Sequence, residues 1–197
     1  NAEEARFQQI LELTRQVVPK LETVRIKRAR VHRMEQRVIT YEGKSMTFDE
    51  PREMVGEELT LDVGGISDVA SHAASEGTLI ALGIITVLLG PERPRLVLLD
   101  DIERGLHPLA QRHLVEVIRK IQDLPGNEDL QVVFTTHSPY VVDEMEPEDV
   151  WVLALDDEGA TVARRLSDHP DVGQGSSILS TGELWSALGE EWVLQNA

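Results

Sequence analysis

The sequence predicts an α/β fold with parallel strands at its centre. Two continuous aliphatic runs, RLVLLDD at 95–101 and LQVVFT at 130–135, are typical of interior parallel strands. The segment between them, 109–122, has the periodicity of an amphipathic helix. Strand, helix and strand therefore follow one another, an order that favours an α/β layer built on a parallel sheet.

An N-terminal helix and an antiparallel hairpin are predicted ahead of this layer. Residues 3–18 carry apolar side chains at helical spacing, and Pro19 ends the helix. Two or three strands are expected, at about 21–31, 35–42 and 58–63. The turn Glu42-Gly43-Lys44 joins the hairpin arms, and Gly64-Gly65 breaks the last strand.

The rest of the chain continues the alternation of helices and strands. Residues 76–90 are apolar nearly all round, so we expect a buried helix there. A short helix is expected after Pro139, and then come two strands and a loop, at 150–155, 161–166 and 167–179. Ser180 and Glu183 form a capping box for a last helix. That helix would carry Leu184, Trp185, Leu188 and Trp192.

These elements suggest two regions, which could pack as one compact domain. Residues 1–74 would form the N-terminal helix and β-hairpin region, and 75–197 would form the α/β lobe. The 197 residues are 41% hydrophobic, which suits a folded chain with a real core.

Composition excludes several classes of protein. The absence of cysteine excludes a disulfide scaffold, a thiol nucleophile and a zinc ribbon. The longest apolar stretch, 79–90, is shorter than the ~18–20 residues that cross a bilayer, and no signal peptide opens the chain. We therefore expect a soluble cytoplasmic protein. A net charge of −16 argues against nucleic-acid binding by bulk charge.

One segment runs against this acidic balance. Residues 20–37 hold seven Lys and Arg against two Glu. The alternation in VRIKRARV predicts a strand with Arg25 and Lys27 on one face. A solvent-exposed hairpin face is the favoured interpretation, and a contact for nucleic-acid phosphates or an acidic partner is the alternative.

Polar residues follow both central strands. LVLLDDIERGLHP ends the first strand with Asp100, Asp101 and Glu103, and VVFTTHSP ends the second with His137. Ligands of open α/β sheets bind beyond the carboxyl ends of strands. Acidic residues there suit Mg²⁺ held through water and phosphate oxygens, and a second carboxylate can polarise an attacking water.

Three motifs in this region resemble those of ABC-type ATPases, in particular the SMC/RecF/OLD-like branch. DDIERGLHP is similar to the Walker B and D-loop segment, which in that branch commonly reads D-E-P-E-x-G-L-H-P. FTTHSP resembles the switch-histidine loop, and the Ser75-Glu76-Gly77-Thr78 segment resembles a divergent ABC signature. The resemblance implies a three-layer P-loop NTPase fold, with ATP and Mg²⁺ as ligands.

The resemblance also assigns roles around the metal. Asp100 would hold Mg²⁺, mostly through water. Asp101 stands where the family has its catalytic Glu, and Glu103 matches a second family acid that could assist. His137 would sense the γ-phosphate.

A second set of residues would act between two copies. Gly105 to Pro108, with His107 among them, would form the loop that crosses a dimer interface. Ser75, Gly77 and Thr78 open a helix and would meet the γ-phosphate of ATP held by the second copy. ATP would thus join two head-to-tail copies.

The sequence departs from the family pattern in two ways. Asp101 replaces Glu and Ile102 replaces Pro, so we expect slow hydrolysis, with Glu103 sharing the role of base. A Walker A loop, G-x-x-x-x-G-K-S/T, is missing: the one Gly-Lys-Ser, at 43–45, would need its first glycine at Val38. We therefore expect a C-terminal lobe whose N-terminal Walker A lobe is absent, inactive by itself, with Asn1-Ala2 as a cut end.

Other functions stay open at this point. A metal-dependent, Toprim-like nuclease could use Asp100, Asp101, Glu103 and His107 around two metals. An inert module could instead dimerise or dock an effector through Trp185 and Trp192. Members of the resembling branch act in DNA repair, chromosome handling and phage defence, often with a partner nuclease or effector.

Overall fold

The structure is a computed structural model that describes residues 2–41, 43–172 and 179–194. The helices are α1 Ala2–Val17, α2 Glu76–Leu89, α3 Pro108–Gln122, α4 Pro139–Val142 and α5 Thr181–Leu188. The strands are β1 Leu21–Tyr41, β2 Lys44–Val63, β3 Ile66–Ala70, β4 Leu96–Leu99, β5 Gln131–Phe134, β6 Trp151–Leu155 and β7 Thr161–Arg165. Short 3-10 turns lie at Ser71–Ala73, Pro147–Asp149, Leu166–Asp168 and Glu191–Leu194.

The chain divides into two compact units. Residues 20–74 form a hairpin unit, and the residues on both sides of it in the sequence form an α/β unit. The structure differs here from the expected grouping of 1–74, because α1 packs against α2 and α3 of the α/β unit. Ile10, Leu11 and Val17 of α1 are buried, so the apolar stripe of this helix belongs to a core.

The hairpin unit is an antiparallel sheet of order β1-β2-β3. β1 is one continuous strand where two were predicted, since no glycine or proline interrupts it and it pairs with β2 up to the Tyr41–Lys44 pair. Pro51 lies in β2 opposite Met34, at a position where β2 has no second neighbour to bond. β3 was not predicted from the sequence; Gly64 and Gly65, both at positive φ, turn the chain into it.

The basic residues of β1 face acidic residues of the same sheet. The Arg25 guanidinium is hydrogen bonded to Asp62 and lies 3.1 Å from Asp68, which also binds Lys27. The hydrogen bond from Arg25, joined by one from the Asp68 backbone, lowers the pKa of Asp62. Residues 20–74 hold nine Lys and Arg against ten Asp and Glu, so the sheet is close to neutral. This balance favours the interpretation of 20–37 as a solvent-exposed hairpin face.

The central layer of the α/β unit is the predicted parallel pair. β4 and β5 run parallel, from Leu96 opposite Gln131 to Leu99 opposite Phe134. The buried residues of α3 lie on one stripe, as its amphipathic pattern predicts. α2 is buried on one side only: Ile85 and Leu88 are in the core, whereas Val87 is exposed, so the expectation of a helix buried all round was wrong.

The C-terminal part forms a second core. β6 and β7 pair antiparallel, and Val152, Leu166, Val172, Leu184, Trp192 and Val193 make up the buried cluster. The predicted capping box of α5 is present, with Ser180 N–H donating to Glu183 Oε2 at 3.0 Å. α5 ends at Leu188, and the positive φ of Gly189 turns the chain away.

Trp192 therefore lies outside α5, and the prediction that this helix carries both Trp185 and Trp192 was wrong. Trp192 lies in the 3-10 turn Glu191–Leu194 and is buried. Its indole N–H donates to the Gly189 carbonyl at 3.1 Å, and its ring meets His169 edge-on at 5.0 Å. Part of the predicted loop at 167–179, residues 173–178, lies outside the described residues. None of the described helices is both long and apolar enough to cross a membrane.

Candidate functional site

Asp100 and Thr135 meet at the carboxyl ends of the two parallel strands. The Thr135 hydroxyl donates to Asp100 Oδ1 at 2.6 Å and accepts the Asp101 N–H at 2.9 Å. The Ile102 N–H donates to the Thr135 carbonyl at 3.2 Å. The paired strand ends thus bring together the two polar segments singled out in the sequence, because β4 and β5 are neighbours in register.

Asp101 sits in a tight backbone turn. Its φ of +49° is in the left-handed region, which Asp tolerates better than most residues. Its carboxylate is exposed and, within the described ranges, has no hydrogen bond or ion pair. The next residue, Ile102, is buried and anchors the turn. The arrangement leaves an ionisable group at the strand end available to a ligand or a water.

Glu103 is fully engaged by the opposite loop. Its Oε2 accepts the Thr136 hydroxyl at 2.6 Å, and its Oε1 accepts the His137 backbone N–H at 2.8 Å. Partial burial raises the pKa of Glu103, but the hydrogen bonds from Thr136 and His137 outweigh it and the pKa is lowered overall. The carboxylate is therefore held ionised, and both of its oxygens position the loop that carries the exposed His137 ring.

Gln111 of α3 ties the same two loops together. Its Nε2 donates to the Leu106 carbonyl at 2.9 Å, and its Oε1 accepts the Ser138 hydroxyl at 2.5 Å. Gln111 and Ser138 are buried. The sequence analysis missed Gln111, although a polar residue on the apolar stripe of α3 could have identified it.

The signature-like segment is only partly exposed. The Ser75 hydroxyl caps α2 by accepting the Thr78 N–H at 3.2 Å. Gly77 and Thr78 are buried, and a Cβ on Gly77 would lie 2.3 Å from the Gly105 carbonyl oxygen. The loop after β4 therefore packs on the first turn of α2, and Ser75 and Glu76 are the members left exposed. Glu76 pairs with the Arg104 guanidinium at 3.0 Å.

His107 has a local structural role. Its Nδ1 accepts the Leu109 N–H at 3.4 Å and so caps α3. Together with the engagement of Glu103, this means that neither side chain converges with Asp100 on a common ion. In the described parts of the chain, no group of three or more His, Asp or Glu side chains is placed to hold a metal.

The acidic strand end opens onto a hollow of about 390 Å³. It is lined by Glu76, Ile80, Ile84, Leu98, Leu99, Asp100, Asp101, Ile102 and Arg104. Asp100 Oδ2 has no hydrogen-bond partner among the described residues, so one carboxylate oxygen is available to a cation. Mg²⁺ in nucleotide sites uses one or two carboxylates, with water and phosphate oxygens completing its shell. The donor set of this hollow fits that requirement.

Two comparisons with known proteins give a match for this chain. A family model described as "AAA domain, putative AbiEii toxin, Type IV TA system" matches residues 5–143. A solved structure described as "Structural biochemistry of ATP-driven dimerization and DNA stimulated activation of SMC ATPases" matches with a TM-score of 0.54 at 14% identity. The match covers 98% of this chain and 94% of that chain. No curated protein matches the chain. At this identity the structural match shows the fold alone, and it confirms the α/β lobe of P-loop type predicted from the sequence.

Proposed function

Since the chain belongs to the AbiEii-type family of AAA domains, an ABC/SMC-like group of P-loop ATPases, we propose that it supplies one half of an ATP-hydrolysing site. The observation that carries the proposal is the pairing of Asp100 and Asp101 with the Thr135–His137 loop across two parallel strand ends. This is where nucleotide ligands of α/β sheets bind.

The exposed groups divide the chemistry among them. Asp100 would hold Mg²⁺, which neutralises charge on the phosphate oxygens when bound. The free Asp101 carboxylate would orient and polarise the attacking water, since it lies beside Asp100 in the chain and has no other partner in the described ranges. His137 would donate a hydrogen bond to the terminal phosphate. Because Glu103 already uses both oxygens, we assign it to positioning this loop and not to the role of base.

The phosphate cradle would come from residues outside these 197. One face of the β4–β5 pair is exposed, with Leu98 at 70% and Val133 at 55% of full exposure. Parallel sheets are normally covered on both faces. A Walker A lobe packed on this face would cover it and bring its phosphate-binding loop to the acidic strand end.

ATP would also join two copies of the complete protein. The exposed first turn of α2, at Ser75 and Glu76, would meet the nucleotide of the second copy, and Arg104 would offset the charge of Glu76. Gly77 and Thr78, which are buried, would hold this turn against the loop after β4. We propose a cytoplasmic, ATP-driven switch that controls a toxin-like effector or nuclease in phage defence or DNA repair; the words "putative AbiEii toxin" in the family description support the toxin-like effector.

The nuclease alternative has less support. It needs Glu103 and His107 beside the two aspartates, whereas Glu103 binds the Thr136–His137 loop and His107 caps α3.

Two substitutions of Glu103 test both the ATPase and the positioning role. Glu103→Ala removes both acceptors of the switch loop, so ATP turnover by the product of the whole gene should fall about tenfold to 100-fold. Glu103→Gln keeps an acceptor for the His137 N–H and gains an N–H that can donate to Thr136. It should stay within a few-fold of the wild type in steady-state phosphate release.

The two variants also define what would contradict the proposal. A general base cannot be replaced by an amide, so equal losses in the Gln and Ala variants would make Glu103 the base. A wild-type protein without Mg²⁺-dependent turnover would contradict the proposed ATPase activity.

The two hydrogen bonds that Glu103 accepts, which we call its clamp, require an ionised carboxylate. Because the pKa of Glu103 is lowered, the clamp is complete above the ordinary pKa range of Glu and is lost only as pH falls through the lowered value. The clamp should therefore add no pH dependence to turnover between about pH 6 and 8.

A further inference from the structure

The far end of the β1–β2 hairpin carries an exposed apolar surface. Ile39, Tyr41, Met46 and Phe48, with Lys44, line a hollow of about 380 Å³ on one face. Tyr41 and Met46 are 75% and 74% exposed. A two-stranded hairpin is marginally stable by itself, and a cluster of exposed apolar side chains of this kind marks an interaction surface.

We call this side the odd face, since it carries the odd-numbered residues of β1. Directly opposite residues of an antiparallel pair share a face. From the tip inward, its rows include Tyr41–Lys44, Ile39–Met46, Arg37–Phe48, Glu35–Glu50, Arg33–Arg52, Ala29–Gly56 and Lys27–Glu58.

Two adjacent rows place like charges opposite each other. Glu35 lies across from Glu50, and Arg33 lies across from Arg52. Like charges directly opposite destabilise a hairpin. The diagonal ion pairs Arg37–Glu50 and Arg52–Glu35, each at 3.1 Å, are exposed and offset part of this repulsion. The like charges within each row are thus unfavourable in a single hairpin. The two rows are complementary, however, to a surface on which a basic row faces the acidic row and an acidic row faces the basic one.

We propose that the odd face binds the odd face of a second copy, with the two hairpins antiparallel. A two-fold axis between the acidic and the basic row lays β1 over β1 and β2 over β2. Glu35 then meets Arg33 of the second copy, and Glu50 meets Arg52 of the second copy. Each unfavourable row is matched by its opposite, as an isologous interface requires.

The same axis matches three positions of the outer rows by size or charge. The row of Ile39 and Met46 falls on the small row of Ala29 and Gly56 of the second copy. Lys44 falls on Glu58 of the second copy. Large side chains therefore meet a flat stretch, which favours close packing of two sheets at about 10 Å.

The expected interface is modest in size. Rows 27 to 41 extend over about 46 Å, and a two-stranded ribbon is about 10 Å wide, so about 900 Å² would be buried in total. This is below the ~1,200–2,000 Å² that stable interfaces bury, so the dimer should be weak and should depend on protein concentration in the micromolar range. It needs no nucleotide and is separate from the head-to-tail pairing on ATP.

Charge reversal tests the pairing without nucleotide. Sedimentation velocity of the 197-residue chain over a concentration series should show a reversible monomer–dimer equilibrium. Glu35→Arg with Glu50→Arg makes both rows basic, and Arg33→Glu with Arg52→Glu makes both rows acidic. Each double variant should be monomeric by itself, because like rows then face each other. A 1:1 mixture of the two should restore a dimer at least as tight as that of the wild type.

A matched control variant replaces two acidic residues by Arg at a site outside the hairpin. Asp157→Arg with Glu158→Arg, on the exposed β6–β7 turn, should leave the equilibrium unchanged. The proposal is overturned by a wild type that stays monomeric, by a basic variant that dimerises like the wild type, or by a mixture that does not associate.

Discussion

Gly77→Ala is expected to destabilise the α/β unit by about 2–3 kcal/mol, as overpacking of a rigid contact does. The new Cβ would lie 2.3 Å from the Gly105 carbonyl oxygen and 2.8 Å from its carbon. Both atoms belong to the backbone of a residue at φ +68°, so neither can move cheaply. Urea unfolding followed by circular dichroism should show a lower midpoint with an unchanged slope.

Gly83→Ala is the matched control in the same helix. A Cβ at Gly83 meets nothing within 4 Å, so this change should stabilise the protein by about 0.5–1 kcal/mol through helix propensity. If the two variants unfolded at the same urea concentration, the contact between the first turn of α2 and the loop after β4 would not exist as described.

Asp101→Asn is expected to lower ATP turnover by about 10²–10⁴-fold in the product of the whole gene, the range that general bases supply. Asn keeps the shape of Asp and tolerates the same left-handed backbone, so the turn at φ +49° should persist. The amide cannot accept a proton from water. The rate of phosphate release should therefore fall by this factor, while the affinity for Mg²⁺-ATP stays unchanged.

The exposed Asp157 provides the control for this substitution. Asp157→Asn removes the same charge from the β6–β7 turn and should leave turnover unchanged. Unchanged turnover in Asp101→Asn would instead show that another group polarises the water, and our assignment of Asp101 would be wrong.

The sequence was most informative where a local pattern and the topology agree. β4 and β5 are aliphatic runs separated by one amphipathic helix, so their parallel pairing could be predicted. The hydrogen bond between Thr135 and Asp100 was found only in the structure. The capping box at Ser180 depends on residues three apart and was equally accessible. Such features need few contacts beyond the segment that carries them.

Features set by distant contacts escaped the prediction. Trp192 has helical spacing from Trp185, but Gly189 ends the helix and the indole joins a core built from several segments. The signature-like motif led us to expect that Gly77 contacts ATP. The motif alone could not show that the Gly105 backbone packs against Gly77. Glu103 matches a family acid, yet both of its carboxylate oxygens accept hydrogen bonds from a loop that lies 33 and 34 residues away in sequence.

We infer that these 197 residues supply the groups that bind Mg²⁺, polarise water and sense the γ-phosphate in an ATP site whose phosphate cradle lies elsewhere. Isothermal titration calorimetry with Mg²⁺-ATP, on this chain and on the product of its whole gene, distinguishes this arrangement from a chain that binds ATP by itself. We predict Mg²⁺-dependent binding by the whole product and binding at least about 100-fold weaker by the chain, a difference of about 2.7 kcal/mol. Equally tight binding by the chain alone, or no binding by the whole product, would contradict it.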